Sequence, residues 1–200
     1  GVYQTEFKVK TKEGQIELKT HLIGRYNVYN ILACISWAIK EGFKSQVIKS
    51  AIERLSFVPG RLERINSAGD FAVFVDYAHT EDALNNVIMF LRQISTGKRI
   101  IVVFGCGGER DKTKRPKMGR VVTTLADYAV ITNDNPRSED PEEIISAIRS
   151  GISKNNYCVI LDRREAITRA LSIAKSGDIV LIAGKGHEDY QEINGVKHPF

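Results

Sequence analysis

The feature that most constrains this chain is a rhythm that begins after Pro59-Gly60. Five short β-branched or apolar runs, Phe71–Val75, Arg99–Phe104, Tyr128–Thr132, Tyr157–Leu161 and Asp178–Ala183, alternate with helical segments at Thr80–Ile94, Lys114–Leu125, Pro141–Ser150 and Arg163–Ala174. An uninterrupted apolar run of strand length has no face to offer water, so both of its faces must be covered. Strands of that kind alternating with helices build an α/β unit: a mostly parallel sheet with flanking helices. Two helix starts carry local support. Asp140-Pro141 gives an N-cap followed by proline at the first helical position. Asp162, three residues before Glu165, gives an aspartate form of the capping box. In the tail, Tyr190–Phe200, Asn194-Gly195 sits between two short extended segments and predicts a hairpin.

The region before Pro59-Gly60 has a different texture. Val2–Lys10 and Gln15–Leu22 alternate apolar with polar around Lys12-Glu13-Gly14, which predicts a hairpin. Asn27–Glu41 has helical periodicity and Gly42 is its expected stop; a second helix is expected over Ser45–Leu55. The break at Pro59-Gly60 sets a domain boundary, with 1–58 on one side and 59–200 on the other.

Bulk properties narrow the function classes. Of 200 residues, 42% are hydrophobic and 26% charged, enough apolar surface for a real core. No apolar run is long enough to span a bilayer, and Gly1–Lys10 contains no signal-peptide core. Cys34, Cys106 and Cys158 are odd in number and far apart, which argues against a disulfide framework or a zinc knuckle and for a reducing, cytoplasmic setting. The net charge of +5 is spread along the chain, apart from a cluster at Arg110–Arg120. Aromatic residues are not interleaved with it and no recognition-helix motif occurs, so the charge reads as solvated surface rather than a nucleic-acid interface.

In a sheet of this kind ligands sit beyond the carboxyl ends of the strands. Those loops here are Asp76–Thr80, Gly105–Thr113, Asn133–Asp140, Asp162 and Gly184–Asp189. Gly105-Cys106-Gly107-Gly108-Glu109-Arg110-Asp111-Lys112-Thr113 is not a Walker A sequence, because Asp111 stands where a glycine must precede the lysine; its glycines permit close backbone approach to a ligand. In Asp134-Asn135-Pro136-Arg137 the proline restricts its neighbour to extended geometry, and Arg137 offers a planar fork suited to a carboxylate. Glu188, in Gly184-Lys185-Gly186-His187-Glu188, can accept an ammonium. Each loop taken alone reads equally well as an ordinary turn. Together they place two cations, Arg110 and Arg137, and two anions, Asp134 and Glu188, on one edge of the sheet. A zwitterion needs both signs of partner, since a buried charge left unpaired costs several kcal/mol. The residues alone therefore predict a small, doubly charged, amino-acid-like ligand.

The strings Gly24-Arg25-Tyr26-Asn27-Val28-Tyr29-Asn30-Ile31-Leu32-Ala33, Pro59-Gly60-Arg61-Leu62-Glu63, Asp76-Tyr77-Ala78-His79-Thr80 and the Gly105–Arg115 loop resemble, in order and across essentially the whole chain, the motifs of the Mur ligase family. Asp134-Asn135-Pro136-Arg137 resembles the signature of those members that take meso-diaminopimelate. The resemblance implies a Rossmann-like carboxyl-terminal domain over 59–200, lacking its last segment, preceded over 1–58 by the end of a central ATP-binding domain. It implies ATP-dependent amide formation, in which the D-Glu carboxylate of UDP-MurNAc-L-Ala-D-Glu is phosphorylated and then attacked by the amine of diaminopimelate. Arg110, Asp134, Asn135, Pro136, Arg137, Gly184 and Glu188 would hold the amino acid. Asn27, Asn30, Arg61, Asp76, Tyr77 and His79 would face the nucleotide. The phosphate loop and most magnesium ligands of the family lie upstream of motifs found here, so no catalytic or metal-binding residue is assigned, and the 200 residues alone are expected to be monomeric and inactive. The rival readings are a folate-type glutamate ligase, a freestanding amino-acid or nucleotide sensor and, on charge alone, a nucleic-acid binder.

Overall fold

The computed structural model describes residues 4–12, 14–66 and 69–200. Val2, Tyr3 and Glu13 of the expected first hairpin lie outside them. The chain divides into two compact units, Gly1–Val58 and Pro59–Phe200.

In the first unit, strands β1 (Thr5–Thr11) and β2 (Gly14–Thr20) pair antiparallel, with Thr11 opposite Gly14. Their alternation is that of a half-buried sheet: Ile16, Leu18 and Thr20 point inward while the residues between them are exposed. Helices α1 (Arg25–Lys40) and α2 (Ser45–Arg54) follow. Ile31 and Ile35 of α1 and Ile48 of α2 close on Ile16, Leu18 and Leu22 to form the core of this unit. Gly42 takes φ 82° just past α1, the left-handed geometry that ends a helix.

The second unit contains a six-stranded sheet in the order β3-β4-β8-β5-β6-β7. In chain order its elements are β3 (Glu63–Ile65), β4 (Ala72–Asp76), α3 (Glu81–Ile94), β5 (Ile100–Phe104), α4 (Lys114–Leu125), β6 (Tyr128–Ile131), α5 (Pro141–Arg149), β7 (Tyr157–Val159), α6 (Arg163–Ser172) and β8 (Ile179–Ala183). The hairpin β9 (Tyr190–Ile193) and β10 (Val196–Pro199) ends the chain. All pairings in the main sheet are parallel except β3 with β4. The expected strands and helices are present to within a few residues at their ends. Sequence reading missed β3, which has three residues, two of them charged, and carries no apolar run.

The topology decides which face each helix covers. From β4 to β5, β6 and β7 the chain steps in one direction, so right-handed crossovers put α3, α4 and α5 on one face; there α3 packs on α4 and α4 on α5. The last crossover runs backwards, from the β7 edge into the gap between β4 and β5, and α6 therefore lies on the opposite face. Ala166 and Ala170 of α6 meet Val73, Ile101, Val103, Val130 and Val180 there. Each residue of β5 is fully buried, as its unbroken apolar run requires. Asp140 and Asp162 cap α5 and α6 as expected, accepting from Glu142 N and Glu165 N at 2.8 Å each.

Candidate functional site

A cavity of about 290 Å3 opens beyond the carboxyl ends of β4, β5, β6 and β8, where the reversal of strand order leaves room for a ligand. Of the residues assigned to the amino acid, Arg110, Asp134, Asn135, Arg137, Gly184 and Glu188 line it. Pro136 is buried beside it, its carbonyl turned toward Gly108. Tyr190, at the start of β9, also lines the cavity. The sequence predicted the tail hairpin but gave no sign that it would fold back onto this edge.

Two loops are zipped together to form one wall. Gly108 N donates to Asn135 O at 2.9 Å, and Arg137 Nη1 donates to Gly108 O at 2.8 Å. Arg115, 2% exposed, donates through Nη2 to both carboxylate oxygens of Glu139 at 3.0 Å, and Lys112 adds an ion pair at 3.2 Å. The closeness explains two of the glycines. A Cβ at Gly105 would lie 2.2 Å from Thr132 O, and one at Gly108 would lie 2.0 Å from Pro136 O. Gly105 and Gly108 also admit the neighbouring loop, a use the sequence did not show, while Gly105 and Gly107 line the cavity and Gly107 faces Arg137.

Arg137 adopts φ 53°, a left-handed conformation disfavoured for any residue with a Cβ. Its backbone N–H donates to Glu192 O, its carbonyl accepts from Asn194 N, and its Nε sits 3.1 Å from Glu192 Oε2. The β9–β10 hairpin thus fixes both the backbone and the fork. Arg110 is exposed and its Nη1 donates locally, to Glu109 O.

The cavity also has acidic lining residues, Asp134 and Glu188. Asp134 is 8% exposed. Glu188 accepts from Asn135 Nδ2 at 3.1 Å, from Lys185 Nζ at 3.2 Å and from the Tyr77 hydroxyl at 3.4 Å. Burial pushes the Glu188 carboxyl up, but the bonds from Asn135 and Lys185 and the charge of Lys185 outweigh it and hold the group below its ordinary value. The Tyr77 hydroxyl moves the other way, raised by burial and by the charge of Glu188. Lys185, only 3% exposed, is the residue that sequence reasoning underrated. A lysine between two glycines reads as solvated surface, and nothing local shows that Asn135, fifty residues upstream, is one of its partners. Arg163 is likewise buried at the start of α6, donating to Ala183 O at 2.8 Å and Asn133 O at 3.3 Å.

The residues assigned to a nucleotide are placed differently from one another. Tyr77 and His79 line the cavity with their rings edge to face at 4.8 Å, and Arg61 lies 5.0 Å over the Tyr77 ring. Asp76 is turned inward: its carboxylate accepts from Leu62 N at 2.7 Å and Ala78 N at 2.8 Å, tying β4 to the segment before β3. Asn27 and Asn30 belong to the first unit; Asn27 is buried with its amide donating to Ile23 O at 2.7 Å, and Asn30 is exposed on α1.

Cys106 lines the cavity but is no nucleophile at neutral pH, because burial pushes its thiol up to about 12. Among the described residues no three His, Cys, Asp or Glu side chains converge to hold a metal ion, and no helix is long and apolar enough to cross a membrane.

Residues 60–186 match the family model described as Mur ligase, glutamate ligase domain. The chain belongs to the Mur ligase family. Among curated Mur ligases, the UDP-N-acetylmuramoyl-L-alanyl-D-glutamate–2,6-diaminopimelate ligase of Syntrophomonas wolfei is 47% identical over 190 residues, 94% of this chain and 39% of the relative. Its counterpart in Aquifex aeolicus is 46% identical over 99% of this chain and 42% of the relative. A solved structure of a ligase of the same name superposes with a TM-score of 0.69 at 41% identity, over 98% of this chain and 40% of that one. The chain thus spans about two fifths of the length of the Mur ligases it matches.

Proposed function

We propose that this chain is the amino-acid-binding portion of an ATP-dependent ligase that joins meso-diaminopimelate to UDP-MurNAc-L-Ala-D-Glu in peptidoglycan synthesis. One observation supports this reading above the rest: a single cavity is lined both by the guanidinium groups of Arg137 and Arg110 and by the carboxylates of Asp134 and Glu188. A diamino dicarboxylic acid presents both signs of charge at both ends, and L-lysine lacks the second carboxylate. The relatives that share nearly half of its residues carry that activity in their names.

In this reading Arg137, held at Nε by Glu192 and at Nη1 by Gly108 O, needs no rearrangement to receive the distal carboxylate. Glu188 and Asp134 receive an ammonium group. ATP, as substrate, phosphorylates the D-glutamyl carboxylate to an acyl phosphate and becomes ADP; the neutral amine of the bound amino acid attacks the carbonyl carbon, the acyl–oxygen bond breaks with its electron pair leaving on phosphate, and the nitrogen gives up a proton to solvent as the amide forms. No step is assigned to magnesium, for which the described residues offer no cluster. Tyr77, His79 and Arg61 form the side of the site proposed to approach the nucleotide. The use of ATP and the free thiols of Cys34, Cys106 and Cys158 fit a cytoplasmic enzyme.

The test is an NMR titration of the 200-residue chain with meso-diaminopimelate, L-lysine serving as control. Shifts at Asn135, Arg137 and Glu188 with diaminopimelate alone, weakened at least about tenfold in Arg137→Ala, are expected. Equal responses to both amino acids, or an indifferent Arg137→Ala, would overturn the substrate assignment.

A further inference from the structure

Lys185 stands behind the cavity rather than in it. Its Nζ lies 2.8 Å from Asn135 Oδ1, 3.2 Å from Glu188 Oε2 and 3.9 Å from Asp134 Oδ1, with the Tyr190 ring centroid at 5.5 Å. All four of those neighbours line the cavity, whereas Lys185 is not among the lining residues. An ammonium has three protons to donate and no acceptor capacity. With Lys185 donating to it and Glu192 N donating at 2.9 Å, Asn135 Oδ1 is fully engaged, and the amide must turn its Nδ2 toward Glu188. The same ammonium lies 3.2 Å from Glu188 Oε2 and 3.9 Å from Asp134 Oδ1, so removing it leaves two nearby carboxylates without the cation they share, and like charges favour uptake of a proton by one of them.

We propose that Lys185 is a positioning residue that keeps Glu188 ionised and aimed, so that the pocket accepts the ammonium of its amino-acid ligand. This rests on the amino-acid-binding reading above. The groups that act on Glu188 come from several elements. Lys185 belongs to its own loop. Tyr77 follows β4, with Arg61 over its ring and His187 at 5.8 Å from it. Asp134 and Asn135 follow β6, and Arg163 at the head of α6 acts on both carboxylates. Among the cations of the described residues, Lys185 alone is within hydrogen-bond distance of Glu188. The carboxyl stays below its ordinary value although burial pushes it up, which agrees with this role.

The experiment follows the Glu188 carboxyl of the whole chain through acid by carbon-13 NMR, with a parallel meso-diaminopimelate titration. In Lys185→Met the carboxyl is expected to protonate at higher pH than in the wild type, and affinity to fall by roughly tenfold or more at mildly acidic pH, with the loss shrinking as pH rises. Lys185→Arg should retain most of both. Adding Asp134→Asn to Lys185→Met removes the competing negative charge and should bring the Glu188 titration back toward the wild type. An unmoved titration in Lys185→Met, or no return in the double variant, overturns the proposal. Wild-type protein gives a readout that needs no variant: the Lys185 ammonium resonance must shift as Glu188 protonates, and an invariant one also overturns it. Failure of diaminopimelate to bind the wild type would count against the functional reading, while the carboxyl titration would still judge Lys185.

Discussion

Glu139 shows how much one side chain organises on this edge. Its carboxyl is held at about 2, well below its usual 4.5, chiefly by the N–H of Glu109; burial opposes this, and Arg115 and Lys112 assist. A carboxylate depressed in the folded state binds its proton less readily there than in the unfolded chain. Its stabilisation is therefore complete above about pH 4.5 and is lost as pH falls toward 2. Glu139→Gln is expected to lower stability by about 1–2 kcal/mol at neutral pH, with the difference vanishing near pH 2, as read by denaturant unfolding across that range. Single residues were legible in the sequence where their type is unusual for their place. Arg137 and Glu188 stood out because charged groups after buried strands invite explanation. Lys185, Arg115 and Arg163 did not, because burial of a cation is settled by partners that no local pattern names.

At the scale of elements, the zipped loops after β5 and β6 behave as one structure, and Gly108 is where they touch most closely. Gly108→Ala would put a methyl group against backbone rather than against a yielding side chain. A loss of about 2–3 kcal/mol is expected, together with weakened amino-acid binding, because Arg137 loses the carbonyl that anchors its Nη1. Unchanged melting and binding would show that the loops separate freely. The strands and helices themselves were readable because burial on two faces leaves an unbroken apolar run, and helix starts leave an acceptor such as Asp140 or Asp162. What was unreadable was the use to which an element is put. The turn at Asn194-Gly195 announces a hairpin, with φ values of 48° and 75°, yet its docking on Asp134 through Gln191 and on Arg137 through Glu192 depends on the fold.

At the scale of the molecule, the second unit has its own sheet, helices on both faces and a closed core. Residues 59–200 expressed alone are expected to unfold in one cooperative transition with dispersed amide resonances; a gradual, non-cooperative loss of structure would contradict the assignment of an independent core.

The place of β8 has a consequence for synthesis. Among the described residues it is the last of the six strands in chain order, yet it lies between β4 and β5 and is the only strand that joins them. Until residue 183 has left the ribosome, β4 and β5 each present a raw edge, and the nascent chain carries two unjoined half-sheets rather than a growing one. Completion of the sheet is thus deferred until β8 has been made, and chaperone demand should peak just before β8 emerges.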